Sequence, residues 1–346
     1  MAETEKTPTL ATLGEFGLIE RLTGGLEMKQ GSTLKGVGDD AAVIASGGEA
    51  MVVTTDLLLE GIHFNLMYMP LRHLGYKAVV VNLSDVYAMN ATPRQITVSL
   101  AVSARFSLEM LEELYEGIKL ACARYDVDLV GGDTTSSLTG MMLSITALGT
   151  APLEKITYRS GARPNDLLCV SGDLGGAYMG LQLLERENEV FKVHPGMQPQ
   201  LEGHDYILQR QLKPEARGDV VARLKELGIQ PTSMIDISDG LSSEIGHLCK
   251  ASGVGCHLYE ERIPYDQQTR EMALEFNINP LVAALNGGED YELLFTLPLE
   301  DHDKIKEDPD ITVIGHMTAP EEGMMLVTAG GSLIPLQTHG FNHMRK

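Results

Sequence analysis

Apolar residues recur with two different periods along this chain, and segments of one kind alternate with segments of the other. In "QITVSLAVS" the residues Ile96, Val98, Leu100 and Val102 fall on every second position, which predicts a half-buried strand. From Leu71 to Asn90, Leu74, Ala78, Val81, Asp85 and Met89 follow helical spacing. Met110, Leu111, Leu114 and Ile118 do the same from Ser107 to Tyr125, with Ser107 as N-cap. "GEFGLIERL" reads as a short helix, and "AAVIASGGEAMVVTTD" as two β-rich runs around a Ser-Gly-Gly turn, a hairpin. "VDLVGGD" and "MLSITALGT" add two strands. Between Ala151 and Pro164 two prolines and several polar residues break the pattern, and a β-α alternation restarts at "LLCVSGD". Two units are therefore expected, residues 1–151 and 152–346. The second holds the glycine-rich "GDLGGAYMGLQLL", an irregular loop from His194 to Gly203, helices near Val220 to Leu227 and Leu241 to Ser252, and strands at "YELLFTL" and "MMLVTA". The class is α+β in two layers, not a doubly wound sheet.

Composition changes this picture little. The 346 residues, 43% hydrophobic and 22% charged, suffice for two domains with a sizeable core. Charge is more telling: 27 Lys and Arg against 48 Asp and Glu leave a net charge of −21, which repels nucleic acid and anionic lipid, so neither is an expected partner. Cys122, Cys169, Cys249 and Cys256 lie in apolar or helical surroundings without a C-x-x-C pair, and read as reduced core residues. "MAETEKTPTL" has neither a basic n-region nor an apolar h-region, and no 18-residue apolar stretch occurs, so the expected location is the cytoplasm with no membrane contact.

The stretch "KGVGDDAAVI", Lys35 to Ile44, sets two carboxylates between glycines and an apolar run. Gly36, Gly38 and Ala41 fit G-x-G-x-x-G/A, with Asp56 further on, but a dinucleotide site needs a strand before the loop and a helix after it. A hairpin follows instead, and Asp39 and Asp40 would repel the phosphates. A carboxylate entering a core calls for a cation nearby.

Acids in similar frames recur: Asp39 and Asp40 in "GVGDDAA", Asp56 in "VVTTDLL", Asp85 in "NLSDVYA", Asp133 in "VGGDTTS", Asp236 and Asp239 in "IDISDGL", Glu289 and Asp290 in "NGGEDYELL". Most end a strand or open a turn. Any one of them could be an N-cap or Asx-turn, but the group as a whole suits a hard divalent cation, which takes oxygen ligands and leaves positions for water and phosphate. The ten histidines show no H-E-x-x-H, and no zinc set stands out. No G-x-x-x-x-G-K-[ST] and no kinase-like H-R-D or D-F-G appears, so a nucleotide would be held by the glycine-rich turns "VGGDTT" and "SGDLGGAYMG", with Arg159 as a bidentate clamp. The same glycines could simply serve turns with positive φ.

Eight motifs now stand in order, ending at Met344: "GVGDDAAVI", "TTDLLLEGIHF", "YKAVVVNLSDVYAMNATPR", "LVGGDTT", "TYRSGARPND", "IDISDGLSSEIGHL", "GGEDYELLF" and "HGFNHM". In this order they resemble the thiamine-monophosphate kinase family, within the superfamily of aminoimidazole ribonucleotide synthetase, selenophosphate synthetase and hydrogenase maturation factors. The resemblance implies that fold: an N-terminal α/β domain pairing strands across a homodimer, and a C-terminal α+β domain. It implies transfer of the γ-phosphoryl of ATP to thiamine phosphate. It also implies several Mg²⁺ ions held by Asp40, Thr54, Thr55, Asp56, Asp85, Asp133, Asp236 and Asp239. Tyr115, Gly132, Arg159 and Ser238 match ATP contacts, and His63, Glu289 and Phe341 match contacts to thiamine phosphate. Plainer roles exist for some: His63 as a hydrogen-bonding residue, Tyr115 as a helix face, Phe341 as a packing plug. Asp173, where the family more often has Thr, and Asp39 have no assigned role.

The implied chemistry is self-consistent. A phosphate monoester already presents an anionic oxygen at neutral pH, so no general base is expected, and the need is for cations that cancel repulsion between the two phosphates. A ligase or selenophosphate synthetase would carry a reactive Cys in a glycine-rich N-terminal tail, and the first 35 residues have none. A hydrogenase maturation factor would end in Cys, whereas this sequence ends "NHMRK". From another class, a non-catalytic ATP or divalent-ion module would bind without turnover.

Overall fold

The computed structural model describes residues 10–337. Its first half runs α1 (Leu10–Thr23, interrupted at Gly14), β1 (Thr33–Lys35), β2 (Ala42–Ser46) and β3 (Glu49–Leu59). Then come α2 (Leu71–Ala88), β4 (Thr92–Val102), α3 (Leu108–Tyr125), β5 (Asp128–Ser136) and β6 (Met141–Pro152). The six strands form one sheet in the order β1-β2-β3-β6-β4-β5, antiparallel except for the parallel pair β4–β5, which α3 connects. The predicted hairpin is β2–β3, with Ser46 opposite Glu49. Ser107 accepts a hydrogen bond from the Met110 N–H, so α3 starts where its sequence predicts.

The second half begins with β7 (Leu167–Ser171), α4 (Gly176–Val193), α5 (Asp205–Leu212), α6 (Gly218–Glu226) and β8 (Ser233–Asp236). It continues through α7 (Leu241–Ser252), β9 (Gly255–Tyr259), α8 (Gln267–Glu275), α9 (Pro280–Asn286), β10 (Leu293–Leu297) and α10 (His302–Ile305). It closes with β11 (Ile311–Thr318), β12 (Met324–Val327) and β13 (Leu333–Pro335). A seven-stranded sheet in the order β13-β12-β9-β11-β7-β10-β8 forms its backbone, and only β9–β12 is parallel. The molecule is therefore α+β with two sheets, each with its own core. All four cysteines are buried and free.

Two features depart from the sequence reading. The helical spacing in α2 predicts one apolar face, yet the helix is buried nearly all round, because it rests on β3, β4 and β6 on one side and on β8, α5 and α6 of the second half on the other. It crosses α3 at a glycine pair: a Cβ on Gly75 would meet the Leu114 carbonyl, and one on Gly117 the Arg72 carbonyl. Conversely, the apolar Leu129 and Val130 of β5 are exposed, since this strand is the edge of its sheet and every one of its residues is exposed.

Candidate active site

Three carboxylates from distant parts of the chain meet where the two halves face each other. Asp40 leads into β2, Asp85 lies in the last turn of α2 and Asp236 ends β8, and one oxygen from each lies within 4.8 Å of the others. Removal from water disfavours their charged forms, and each neighbouring carboxylate adds to that. Burial pushes Asp40 up to about 7, against the pull of Arg159 and with a further push from Asp236. Burial takes Asp236 to about 6 and holds Asp85 well above the usual carboxylate range, where Asp56, Asp236 and Asp40 push it further. Among the described residues the one cation in direct contact is Arg159, whose Nη2 and Nε donate to Asp40 Oδ1 at 2.7 and 3.3 Å. Asp40 Oδ2 is buried with no hydrogen-bond partner among the described residues.

Hydroxyls and amides hold these acids in place. Thr54 Oγ1 on β3 donates to Asp85 Oδ2 at 2.6 Å, and Ser84 Oγ on α2 donates across the two halves to Asp236 Oδ2 at 2.6 Å. Asp56 is two residues beyond Thr54 on the same face of β3; its N–H donates to Asn82 Oδ1 at 3.0 Å, and burial raises its carboxyl to about 6. Asp239 is also raised by burial to about 6, and its N–H donates to the buried Glu244 Oε1 at 3.0 Å. Asp39 has a tethering role: its Oδ1 accepts from the N–H of Arg159 at 3.1 Å and of Asp40 at 3.2 Å, and Lys35 Nζ stands 3.3 Å from Oδ2.

Beside this cluster the turn Gly288–Tyr291 approaches the segment after β8. Glu289 and Tyr291 both have positive φ, 58° and 52°, and their N–H groups donate to Ser238 O at 2.7 Å and Ile237 O at 2.8 Å. Two non-glycine residues in left-handed conformations so close together store strain that only a constrained site retains. The Glu289 carboxylate is contacted by Lys77 Nζ at 3.0 Å and Gln211 Nε2 at 2.8 Å. Ser238 itself is exposed. His63, in the turn after β3, accepts the Leu59 N–H on Nδ1 at 3.0 Å.

Residues 38–151 match the family described as AIR synthase related protein, N-terminal domain. Thiamine-monophosphate kinase of Aquifex aeolicus is 34% identical over 326 residues, 94% of this chain and 97% of that protein. Thiamine-monophosphate kinase of Bacillus subtilis is 31% identical over 96% of this chain and 100% of its own length. The solved structure of AaThiL complexed with AMPPCP and TMP matches with a TM-score of 0.82 at 34% identity, covering 97% of this chain and 99% of that one. The chain belongs to the thiamine-monophosphate kinase family.

The residues singled out by the sequence resemblance divide by position. Asp40, Asp85 and Asp236 form the carboxylate cluster, with Thr54, Asp56, Arg159 and Asp239 around it and Ser238 and Glu289 beside it. Thr55 points to the opposite face of β3 from Thr54, where it is exposed and donates to Ile145 O at 3.1 Å. Asp133 lies across the sheet in the register Asp133–Ser99–Ser144–Leu57, three strands from β3, which is about 14 Å at ordinary strand spacing. Tyr115 packs against the first core from α3. Gly132 has an internal reason to be glycine, because a Cβ there would lie 1.9 Å from Val98 O. Phe341 falls outside the described residues.

One candidate phosphate cradle is corrected. In "SGDLGGAYMG" the start of α4 is already occupied: Asp290 accepts from the Gly175 N–H at 2.8 Å and the Ala177 N–H at 3.4 Å. Asp173 accepts from the Tyr206 hydroxyl, and Arg210 binds the Asp173 carbonyl at 3.0 Å. Those glycines serve an internal cap. The sequence reading also passed over Lys77, Asn82, Ser84 and Glu244. For the first three the signal was present as polar residues inside an otherwise apolar helix.

Proposed function

We propose that this chain transfers the γ-phosphoryl group of ATP to the phosphate of thiamine phosphate, giving thiamine diphosphate and ADP. The observation that carries the reading is the buried Asp40–Asp85–Asp236 cluster, in a chain that matches thiamine-monophosphate kinases over nearly its whole length. An all-oxygen donor set with an unpartnered Asp40 Oδ2 fits Mg²⁺, held by Asp40, Asp85 and Asp236, with Asp56 and Asp239 at hand. Bound there, Mg²⁺ would neutralise charge on the phosphates and fix their orientation for in-line displacement. Thr54, Asn82 and Ser84 hold the acids so that little reorganisation accompanies binding. Arg159, freed from Asp40 when another cation takes over that carboxylate, is placed to clamp ATP oxygens as a bidentate donor. Glu289 faces the organic part of thiamine phosphate.

A homodimer belongs to the same reading. The exposed β5 edge, with Leu129 and Val130 unpacked, needs cover, and pairing it with a second copy would bring Gly132 and Asp133 to a site they do not reach within one chain. Among the described residues no helix is long and apolar enough to cross a membrane; a co-substrate such as ATP points to the cytoplasm. The test is direct: incubate the protein with thiamine phosphate, ATP and Mg²⁺, and separate the products. Thiamine diphosphate and ADP in equal amounts are expected; ATP binding without thiamine diphosphate would overturn the reading in favour of a non-catalytic module.

A further inference from the structure

Lys77 is an anomaly that the phosphoryl-transfer machinery does not use. It lies in the middle of α2 between apolar neighbours, with its side chain 2% exposed. Burying an ammonium costs several kcal/mol unless good partners meet it. Its partners are Glu289 Oε1 at 3.0 Å and the Gln211 carbonyl at 2.9 Å. Gln211 is itself buried and gives its Nε2 to the other Glu289 oxygen at 2.8 Å, while its own Oε1 has no partner among the described residues. The amide is thus committed to Glu289 at the expense of its own carbonyl. Three segments, α2, α5 and the strained 288–291 turn, converge on one carboxylate. Yet that carboxylate is not enclosed: its side chain is 31% exposed.

Here a buried cation backs an open anion. A carboxylate has about four lone-pair positions; Lys77 and Gln211 take one on each oxygen and leave the others facing outward. Resting on the function proposed above, we infer that Lys77, with Gln211, is a positioning residue for Glu289. It fixes the carboxylate's orientation and balances its charge, so that Glu289 meets thiamine phosphate as an oriented hydrogen-bond acceptor for the neutral aminopyrimidine, not as a counter-ion for the thiazolium.

The test is a double-mutant cycle on the full-length protein with Lys77→Met, Glu289→Gln and the double variant. Methionine keeps the length of the buried side chain, and the Glu289 carboxylate it leaves unpaired is open enough to be hydrated. Lys77→Met should raise the KM for thiamine phosphate about 10-fold or more, with the KM for ATP changed by less than about twofold. The double variant, neutral at both positions, should be no worse than the poorer single variant. Should Lys77→Met fail to fold, the comparison of the double variant with Glu289→Gln still decides, because no unpaired charge remains in it. A lowered Tm with an unchanged thiamine phosphate KM, an equal rise in both KM values, or effects that multiply in the double variant would overturn the positioning role. Absence of thiamine diphosphate formation by the wild type would overturn the proposed function and this inference together, whereas a normal wild type with an indifferent Lys77→Met overturns only the latter.

Discussion

Arg159 Nη2 stands 2.7 Å from Asp40 Oδ1, with the Asp40 side chain fully buried and the Arg159 side chain 20% exposed. The cation required by the paired carboxylates of "GDDAA" is therefore supplied by a residue 119 positions away, from the segment that joins the two sheets. Removing it would strand a buried charge unless another cation were supplied.

That sets the first prediction. Arg159→Ala should destabilise the protein in EDTA by on the order of 3 kcal/mol, the usual cost of breaking a buried pair. Much of the loss should return in millimolar Mg²⁺ if, as proposed, a metal at Asp40 takes the place of the guanidinium. Thermal melts with and without Mg²⁺ check this. An equal loss in both buffers would mean that Arg159 and the metal do not share that carboxylate.

The raised carboxyl groups give a pH dependence with a definite sign. Asp40 at about 7 and Asp56, Asp236 and Asp239 at about 6 all bind protons more tightly folded than unfolded. Their contribution to stability is complete below the unfolded pKa near 4 and is lost as pH rises through about 6 to 7. Metal binding needs the deprotonated forms. In EDTA the Tm should fall between pH 5 and 8, and the increase produced by Mg²⁺ should grow over the same interval. A Tm in EDTA that rises through this window would contradict the assignment.

Asp85→Asn separates function from stability. The amide keeps the size and can still accept from Thr54, but it removes one of three mutually repelling charges. Turnover should drop by about 10²-fold or more, while the metal-free Tm at pH 8 rises. Loss of both would indicate that Asp85 is chiefly structural.

The two neighbouring glycines of "VGGDTT" are predicted to behave differently. A Cβ at Gly131 meets nothing within 4 Å, whereas at Gly132 it meets the backbone carbonyl of Val98 at 1.9 Å. Gly131→Ala should melt like the wild type, and Gly132→Ala should lose stability through disruption of the β4–β5 pair. Comparable melting of the two variants would show that β5 can shift away without cost.

How much of this could be read from the sequence depended on length and isolation. Long periodic segments such as α3 and β4 stand out, because their burial comes from one face and their period survives. In β11 the period is lost: a register irregularity between Val313 and Gly315 breaks the alternation. Five-residue β9 and seven-residue α9 are too short to carry one. For the site, residue type and local frame identified the acids, since carboxylates at strand ends do not occur by chance in such numbers. What no local pattern encodes is pairing between distant segments, as in Ser84 with Asp236 or Lys77 with Glu289, which exists only once α2 is set between the two halves.

Asp133 supplies the sharpest test of the homodimer. Its strand spacing from β3 keeps it out of its own chain's cluster, so any role in phosphoryl transfer would be played toward the cluster of a second copy. Asp133→Asn and Asp85→Asn should each be inactive as pure proteins. In a two-fold dimer whose sites combine Asp85 of one chain with Asp133 of the other, a mixed dimer has one doubly damaged site and one intact site. Random reassociation of equal amounts makes half of the dimers mixed, so the mixture should recover about one quarter of wild-type activity. Co-expression with two affinity tags isolates the mixed dimer, which should show about half. If the mixed dimer stays as inactive as its parents, Asp133 acts within its own chain, and any covering of β5 by a second copy has no catalytic purpose.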